Sequence, residues 1–385
     1  MSEENEIPIR KNYVKIEADE FLYNVIPRLI EMGVEEAQVF EKNEYLGVLS
    51  LRELGRKGRV QSETKVEKVV KRLKPVLNTH PYHEIGNKLL TNKIHSIIIE
   101  DEQSNAILGI VHGLDLVEKF MPNQDDPAMN YAQQDVQVIR EIYSLATAIK
   151  IIRTHNISRL PVVDENNKLI GTISSVKIFS VLFRPPDHEN VVDPEGLIID
   201  PYSDIVSDFM DDPLPVLPES ATLKEVVKEM KAKETDAVLL GSPRKIKGII
   251  TLTDLLETIS VPEAKAGYYV QVVGEELDDV DVDQIISETS NFLKKFAEAI
   301  GDNGRVVVHV KSFPKNKFRN HILFQVRFRV YTNKGFLFIA RGEGFGLMAA
   351  INEAIERLTR EVLAKKEAWK KYINRSIVAD FLYEI

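Results

Sequence analysis

The sequence contains no cysteine among its 385 residues, a single tryptophan, and no apolar run of membrane-spanning length. Without cysteine there are no disulfides and no zinc–thiolate sites, which fits a reducing compartment or a thermophile that avoids labile side chains. A membrane helix needs about 18 consecutive apolar residues, and the polar start MSEENEIPIRKNY does not resemble a secretory signal. These absences predict a cytoplasmic protein with no membrane partner.

Positive charge is concentrated in the last third of an otherwise acidic chain. The whole protein has a net charge of −9, yet the stretch from Arg305 to Arg375 holds 16 lysines and arginines against 5 acidic residues. Residues 1–266 hold 32 basic and 43 acidic residues. This asymmetry predicts that the last third contacts a polyanion and that the rest of the chain has another role.

One pattern recurs four times in the first two thirds of the chain. Each copy has an amphipathic helix, a short apolar strand, a polar turn, a glycine with two apolar residues, and a second short helix. The four glycines are Gly47, Gly109, Gly171 and Gly248. A Pro/Asp-rich insertion at Arg184–Gly196 indicates a loop or linker. One copy is too small to close its own core, so we expect the copies to pair as domains 1–125 and 126–262.

The fourth copy carries the most specific motif, Gly248-Ile249-Ile250-Thr251-Leu252-Thr253-Asp254, and the third carries Leu160-Pro161-Val162-Val163-Asp164. These stretches resemble the cystathionine-β-synthase (CBS) repeat, whose tandem pairs form Bateman modules. The resemblance implies that Thr251 and Asp254 bind the phosphate and ribose of an adenine nucleotide. The chemistry is reasonable, because a carboxylate accepts hydrogen bonds from vicinal hydroxyls and a helix N-terminus favours phosphate. A Thr and an Asp at a helix start are equally typical of an ordinary N-cap.

The other copies depart from this motif. The second has Asp115 at the position of Asp254, and we expect a nucleotide there too, with AMP, ADP or ATP as a regulatory ligand rather than a required cofactor. The first copy has Glu53 at this position. The third has Lys177, which cannot accept ribose hydroxyls.

After Pro262 the pattern changes to β-α-β-β-β-α over residues 267–366. The predicted strands are Tyr268–Val273, Arg305–Lys311, His321–Tyr331 and Phe336–Arg341. The third strand alternates cleanly between apolar and polar residues, so one face packs on helices, while Arg327 and Arg329 face solvent or a partner. The last helix repeats apolar residues at helical spacing and leaves Arg357 and Arg360 outward.

The stretch Ala340–Arg360, with its Glu-Gly, its Ala-Ala-Ile and a basic final turn, resembles the ribosome hibernation-promoting factor and ribosome-associated inhibitor family. The resemblance implies a domain that lies in the decoding region of the small ribosomal subunit and contacts ribosomal RNA. Structured RNA is held mainly through its phosphates and shape, and the loop from Lys311 to Arg319 interleaves basic and aromatic residues; a solvated hairpin tip is the other interpretation. The predicted RNA-binding residues are Lys294, Lys295, Lys311, Lys315, Lys317, Arg319, Arg327, Arg329, Arg341, Arg357, Arg360, Lys365 and Lys366.

Two further features predict no catalytic or metal chemistry. The loop from Gly342 to Gly346 lacks the Lys-Ser/Thr of a phosphate-binding loop, and His80 and His83 lack partner ligands. No nucleophile–base–acid set is visible. The tail 367–385 ends in apolar residues and is expected to dock on this chain or on a neighbour.

The predicted fold class is therefore α/β and α+β, with two tandem CBS-repeat pairs followed by a βαβββα domain. The predicted function is a ribosome-associated translation-silencing factor that acts by steric occlusion, not as an enzyme. Its CBS module senses adenine nucleotide or links copies of the protein into a homo-oligomer that tethers ribosomal subunits. The alternative is a nucleotide-sensing regulator of an enzyme or transporter, and an unrecognised enzyme comes last.

Overall fold

The computed structural model describes residues 6–57, 60–121, 124–134, 136–155, 157–183, 204–260, 267–274, 277–313, 322–332 and 337–382. The chain divides into two units, Met1–Ser260 and Val261–Ile385. Within the described ranges no helix has both the length and the apolar character needed to cross a membrane. The predicted loop at Arg184–Gly196 lies outside the described residues.

The first unit contains the four predicted repeats, each with the order β-α-β-β-α. The first two comprise β1 (Lys15–Glu17), α1 (Leu22–Glu31), β2 (Glu36–Glu41), β3 (Glu44–Ser50) and α2 (Leu51–Lys57), then, after β4 (Lys71–Arg72), β5 (Val76–Leu77), α3 (Tyr82–Asn92), β6 (Ser96–Glu100), β7 (Ile107–His112) and α4 (Gly113–Phe120). The last two comprise β8 (Ile139–Arg140), α5 (Leu145–Thr154), β9 (Arg159–Val163), β10 (Leu169–Ser174) and α6 (Ser175–Leu182), then β11 (Val216–Leu217), α7 (Leu223–Ala232), β12 (Ala237–Ser242), β13 (Lys245–Thr251) and α8 (Leu252–Ile259).

Local chemistry sets the ends of these elements. Helix α7 begins at a capping box, in which Thr222 and Glu225 bind each other's backbone N–H groups. The β2–β3 hairpin turns through Lys42 and Asn43, which both have positive φ, as a tight two-residue hairpin requires. Buried apolar residues recur at helical spacing along the leading helices, as Leu22, Val25 and Leu29 do in α1.

Each repeat builds a small mixed sheet. Its short first strand pairs in parallel with the second, and the second pairs antiparallel with the third. In the second and fourth repeats, a segment that lies outside the repeat then extends the sheet. Arg10 forms an antiparallel bridge with Ile110 of the second repeat, and Gln133 forms the corresponding bridge with Ile249 of the fourth.

The second unit has a four-stranded sheet in the order β14-β15-β16-β17. Its elements are β14 (Tyr268–Gly274), α9 (Asp279–Ile300), β15 (Gly304–Phe313), β16 (Leu323–Thr332), β17 (Leu337–Phe345) and α10 (Leu347–Leu382). Strands β14 and β15 are parallel, and the other neighbours are antiparallel. The predicted fold class of both parts of the chain is confirmed.

One face of this sheet packs against both helices. Val308, Phe328 and Ala340 on the sheet share a buried core with Phe292 of α9 and Ile351 of α10. Gly342 stands where α10 lies closest, since an added Cβ would meet the Ala350 carbonyl oxygen at 2.1 Å. The predicted separation of an apolar sheet face from a polar one is therefore present, and α10 continues through the backbone of the predicted tail as far as Leu382.

Candidate functional site

Thr251 and Asp254, the predicted phosphate and ribose ligands of the fourth repeat, are bound to each other. The Thr251 hydroxyl donates to Asp254 Oδ2 at 2.7 Å, and the Thr251 backbone N–H donates to the same oxygen at 3.0 Å. Together with the Asp254 N–H to Thr251 Oγ1 bond, this forms a capping box at the start of α8. Asp254 is also almost fully buried. The alternative interpretation as a helix N-cap therefore accounts for the geometry of this pair.

Asp115, the predicted ribose ligand of the second repeat, forms a two-pronged ion pair with Arg10. The guanidinium approaches both carboxylate oxygens, with 2.8 Å between Arg10 Nη2 and Asp115 Oδ1. Lys231 of α7 lies 3.9 Å from Oδ1. Burial alone raises the pKa of Asp115, but the hydrogen bonds and charge of Arg10 outweigh it, so the pKa lies below its usual range. Asp115 is therefore ionised and already paired.

The third repeat has a helix cap at the same position. Ser174 accepts the N–H of Lys177 at 3.0 Å, and the Lys177 ammonium pairs with Asp211 at 2.9 Å. A cation here is consistent with the expectation that this repeat does not hold a sugar.

Sequence reasoning missed a buried polar cluster that joins all four repeats. Arg52 of the first repeat donates to Glu36 at 2.9 Å and to Asp236 of the fourth repeat at 3.1 Å. The same Asp236 also accepts from Arg159 of the third repeat, and His95 of the second lies against Arg52. The sequence does contain a signal for this cluster. A polar residue stands at the start of the second strand of every repeat or just before it, at Glu36, His95, Arg159 and Asp236.

The charge state of this cluster follows from its contacts. Arg52 can only donate, so one of the His95 ring nitrogens must accept from it, which requires a neutral ring. Burial, followed by the nearby Arg52 charge, lowers the pKa of His95 well below its ordinary value. Burial alone raises the pKa of Asp236. The neighbouring charges, that of Arg159 most of all, outweigh burial and lower the pKa below its usual range. The two arginines are thus compensated by carboxylates of the same chain.

In the second unit, the expected exposure of Arg327 and Arg329 is wrong. Arg327 is 9% exposed and Arg329 is 1% exposed. They lie on the sheet face opposite the helices, as predicted, but both side chains are buried there. Alternation along a strand assigns a side chain to a face, but it does not tell whether the face is covered. Beside them, Arg305 stacks on the Tyr331 ring with 4.1 Å to its centroid.

The other predicted RNA-binding residues fall into three groups. Lys311 and Arg341 are partly exposed on the same sheet face as Arg327. Lys315, Lys317 and Arg319 lie outside the described residues. The exposed members lie on the two helices, at Lys294, Lys295, Arg357, Arg360, Lys365 and Lys366. The candidates that the structure describes therefore occupy opposite faces of the unit rather than one patch, and the fully exposed ones belong to the helical layer.

The family comparisons agree with this architecture. Residues 128–184 and 206–261 match the CBS domain, so the third and fourth repeats are CBS domains. Residues 269–377 match the family described as "Hibernation factor Hib, C-terminal domain", so the second unit carries that domain. Both predicted resemblances are thus confirmed.

Similar proteins come from archaea. Protein MJ1225 of Methanocaldococcus jannaschii is 21% identical over 255 residues, which cover 60% of this chain and 86% of that protein. Its crystal structure aligns with a TM-score of 0.53 at 17% identity, covering 64% of this chain and 96% of that chain, and this likeness concerns the fold alone. Protein MK0525 of Methanopyrus kandleri is 33% identical over 102 residues, 26% of this chain and 52% of that protein.

Proposed function

We propose that this protein is a ribosome-associated factor that silences translation, with its second unit in the decoding region of the small subunit. The observation that carries the proposal is the match of residues 269–377 to the hibernation factor Hib C-terminal domain. The excess of basic residues from Arg305 to Arg375 supports the same partner, because ribosomal RNA is a polyanion whose phosphates bind Lys and Arg. The protein acts by occupying the site, without catalysis.

The helical layer is the face that we propose for RNA. Lys294 and Lys295 are exposed on α9, and Arg357 and Arg360 are exposed on α10, where each pairs with a glutamate one turn earlier. Such exposed i,i+4 pairs contribute at most about 0.5 kcal/mol, so RNA phosphates can replace the glutamates as partners. Contacts of this kind hold structured RNA by shape and charge rather than by base sequence.

Sucrose-gradient sedimentation with purified small subunits tests the proposal. The full chain should co-sediment with the subunit, and Lys294→Glu with Lys295→Glu should release it. The matched control is Lys224→Glu with Lys228→Glu, two exposed lysines on α7 of the first unit, which should leave co-sedimentation unchanged. Failure of the wild-type chain to co-sediment, or equal release by both variants, would contradict this face as the RNA contact.

For the first unit, we propose that the CBS repeats sense an adenine nucleotide, with Asp115 as the ribose ligand, and link copies of the protein so that subunits are tethered in pairs. The CBS domains at residues 128–184 and 206–261 support a regulatory role. Analytical ultracentrifugation of the full chain with and without AMP tests both points. If the protein were a monomer under all conditions, the proposal that the first unit links copies of the protein would be contradicted. Nucleotide binding without any ribosome association would favour a regulator of an enzyme or transporter.

A further inference from the structure

In the first unit, two segments pair in the same way with a later strand, and the residue at the bridge differs between them. Arg10 exchanges two backbone hydrogen bonds with Ile110, at 2.8 and 3.0 Å, and Gln133 exchanges two with Ile249, at 2.8 and 2.9 Å. Ile110 and Ile249 each follow the glycine of their repeat. The arginine of the first segment therefore has a glutamine as its counterpart in the second.

The arginine reaches the ligand position of the second repeat. Its guanidinium binds both oxygens of Asp115, which stands in the first turn of α4, as Asp254 does in α8. Lys231 approaches the same carboxylate and also pairs with Glu118, and His112 caps the helix beside it. A vicinal diol binds a carboxylate through the same two oxygens that Arg10 occupies. A ribose that approaches the same side of the carboxylate therefore competes with Arg10 for Asp115.

The backbone holds the segment in place independently of this ion pair. An added Cβ on Gly109 would meet the Arg10 carbonyl oxygen at 2.3 Å, so the segment lies directly on strand β7. Lys11 Nζ donates to the Leu108 carbonyl at 2.7 Å. The Arg10 side chain can thus leave Asp115 while its backbone remains docked, because different bonds hold the two.

We propose that Arg10 is an internal gate that closes the Asp115 cleft to nucleosides carrying a free 2′,3′-diol. This inference rests on the nucleotide-sensing role proposed above for the first unit. The gate raises the ligand concentration that binding requires, because a ligand must displace the guanidinium before its ribose reaches the carboxylate. A partner that binds Arg10, such as an anionic surface, would open the cleft and raise the affinity for the nucleoside.

Isothermal titration calorimetry with adenosine, which carries no charge, tests the gate in the full chain. Arg10→Gln, which installs the residue of the second segment, should bind adenosine roughly tenfold more tightly than the wild type. Arg10→Lys, which keeps the charge but loses the two-pronged contact, should give a smaller gain. The gain should disappear in Arg10→Gln with Asp115→Ala, and 2′-deoxyadenosine should show none.

Lys150→Gln, an exposed lysine of α5, is the matched control, because it removes the same charge from the first unit without touching Asp115 or the Arg10 segment, and it should bind as the wild type does. Thermal unfolding checks that each variant is folded. Unchanged affinity in both Arg10 variants, or a gain that survives Asp115→Ala, would overturn the gate. If neither the wild type nor any variant bound adenosine or AMP, the nucleotide-sensing role itself would be contradicted, so failure of the gate and failure of that role are distinguishable.

Discussion

Arg52 of the first repeat and Asp236 of the fourth repeat form a buried ion pair, with 3.1 Å between Nη1 and Oδ2. Asp236 also binds Arg159 of the third repeat. Asp236 therefore joins two guanidinium groups that come from distant parts of the chain. Removal of one partner from a buried pair is costly, because the remaining charge stays desolvated.

Asp236→Ala should destabilise the first unit by about 3 kcal/mol, since Arg52 and Arg159 would each lose one of two carboxylate partners in a largely buried cluster. Urea unfolding of the full chain, followed through the transition of the first unit, measures the change. The control is Asp212→Ala, an exposed carboxylate of the same unit, which should change stability by less than about 0.5 kcal/mol. Similar losses in the two variants would show that the cluster has no special importance.

Stability of the first unit should fall in mild acid. Burial, followed by the charge of Arg10, lowers the pKa of His112 from 6.5 to about 4. The unfolded chain therefore takes up a proton between pH 6.5 and 4 that the folded chain does not, so the free energy of unfolding decreases as the pH falls through this window. The expected loss from His112 is roughly 2 kcal/mol between pH 7 and pH 5.

His112→Ser isolates this effect, because serine occupies the same cap position in the first and third repeats, at Ser50 and Ser174. The variant should lose about 2 kcal/mol less than the wild type between pH 7 and pH 5. Between pH 7 and pH 8 the two proteins should change equally. An identical acid dependence would show that His112 does not contribute.

Thr251→Ala should destabilise the fourth repeat by about 1–2 kcal/mol with or without nucleotide, because the threonine caps α8. Thr251→Ser keeps the hydroxyl and should lose less than half of that. Thermal unfolding of both variants with and without AMP separates the cap from a ligand role. If Thr251→Ala were as stable as the wild type without nucleotide and differed only when AMP is present, the hydroxyl would act on the ligand instead.

Amide hydrogen exchange should reveal how the edge of the second unit's sheet is protected. Glu353 Oε2 accepts the Glu343 N–H at 2.6 Å, and Glu361 Oε2 accepts the Ile339 N–H at 3.2 Å, so glutamates of α10 satisfy edge strand β17. Glu353→Ala should speed exchange of the Glu343 amide by about tenfold and leave the Ile339 amide unchanged. Glu356→Ala, on the exposed face of α10, should affect neither amide.

The repeat architecture was predictable because its signals are local. Apolar spacing such as Leu223, Val226 and Met230 places helix α7, and the motif from Gly248 to Asp254 marks a strand followed by a helix start. Each of these patterns lies within about ten residues. The elements that they predict are present in the structure.

The candidate site was less predictable because it depends on contacts between distant segments. Nothing around Asp115 shows that Arg10, more than a hundred residues earlier, binds it. Likewise, the pattern around Arg329 identifies its face of the sheet but not the burial of its side chain. Thr251 and Asp254 were equally compatible with two interpretations, and only their mutual hydrogen bonds reveal the cap.

The bridges of Arg10 to Ile110 and of Gln133 to Ile249 have a consequence for how such a chain is assembled and divided. In each case a segment that precedes a pair of repeats completes the sheet of the second repeat in that pair. A single repeat cut from the chain would therefore lose part of its own sheet or keep a fragment of another. The smallest stretch that carries all of its own strands is the pair, so a shortened form of the first unit should be cut between the pairs rather than within one.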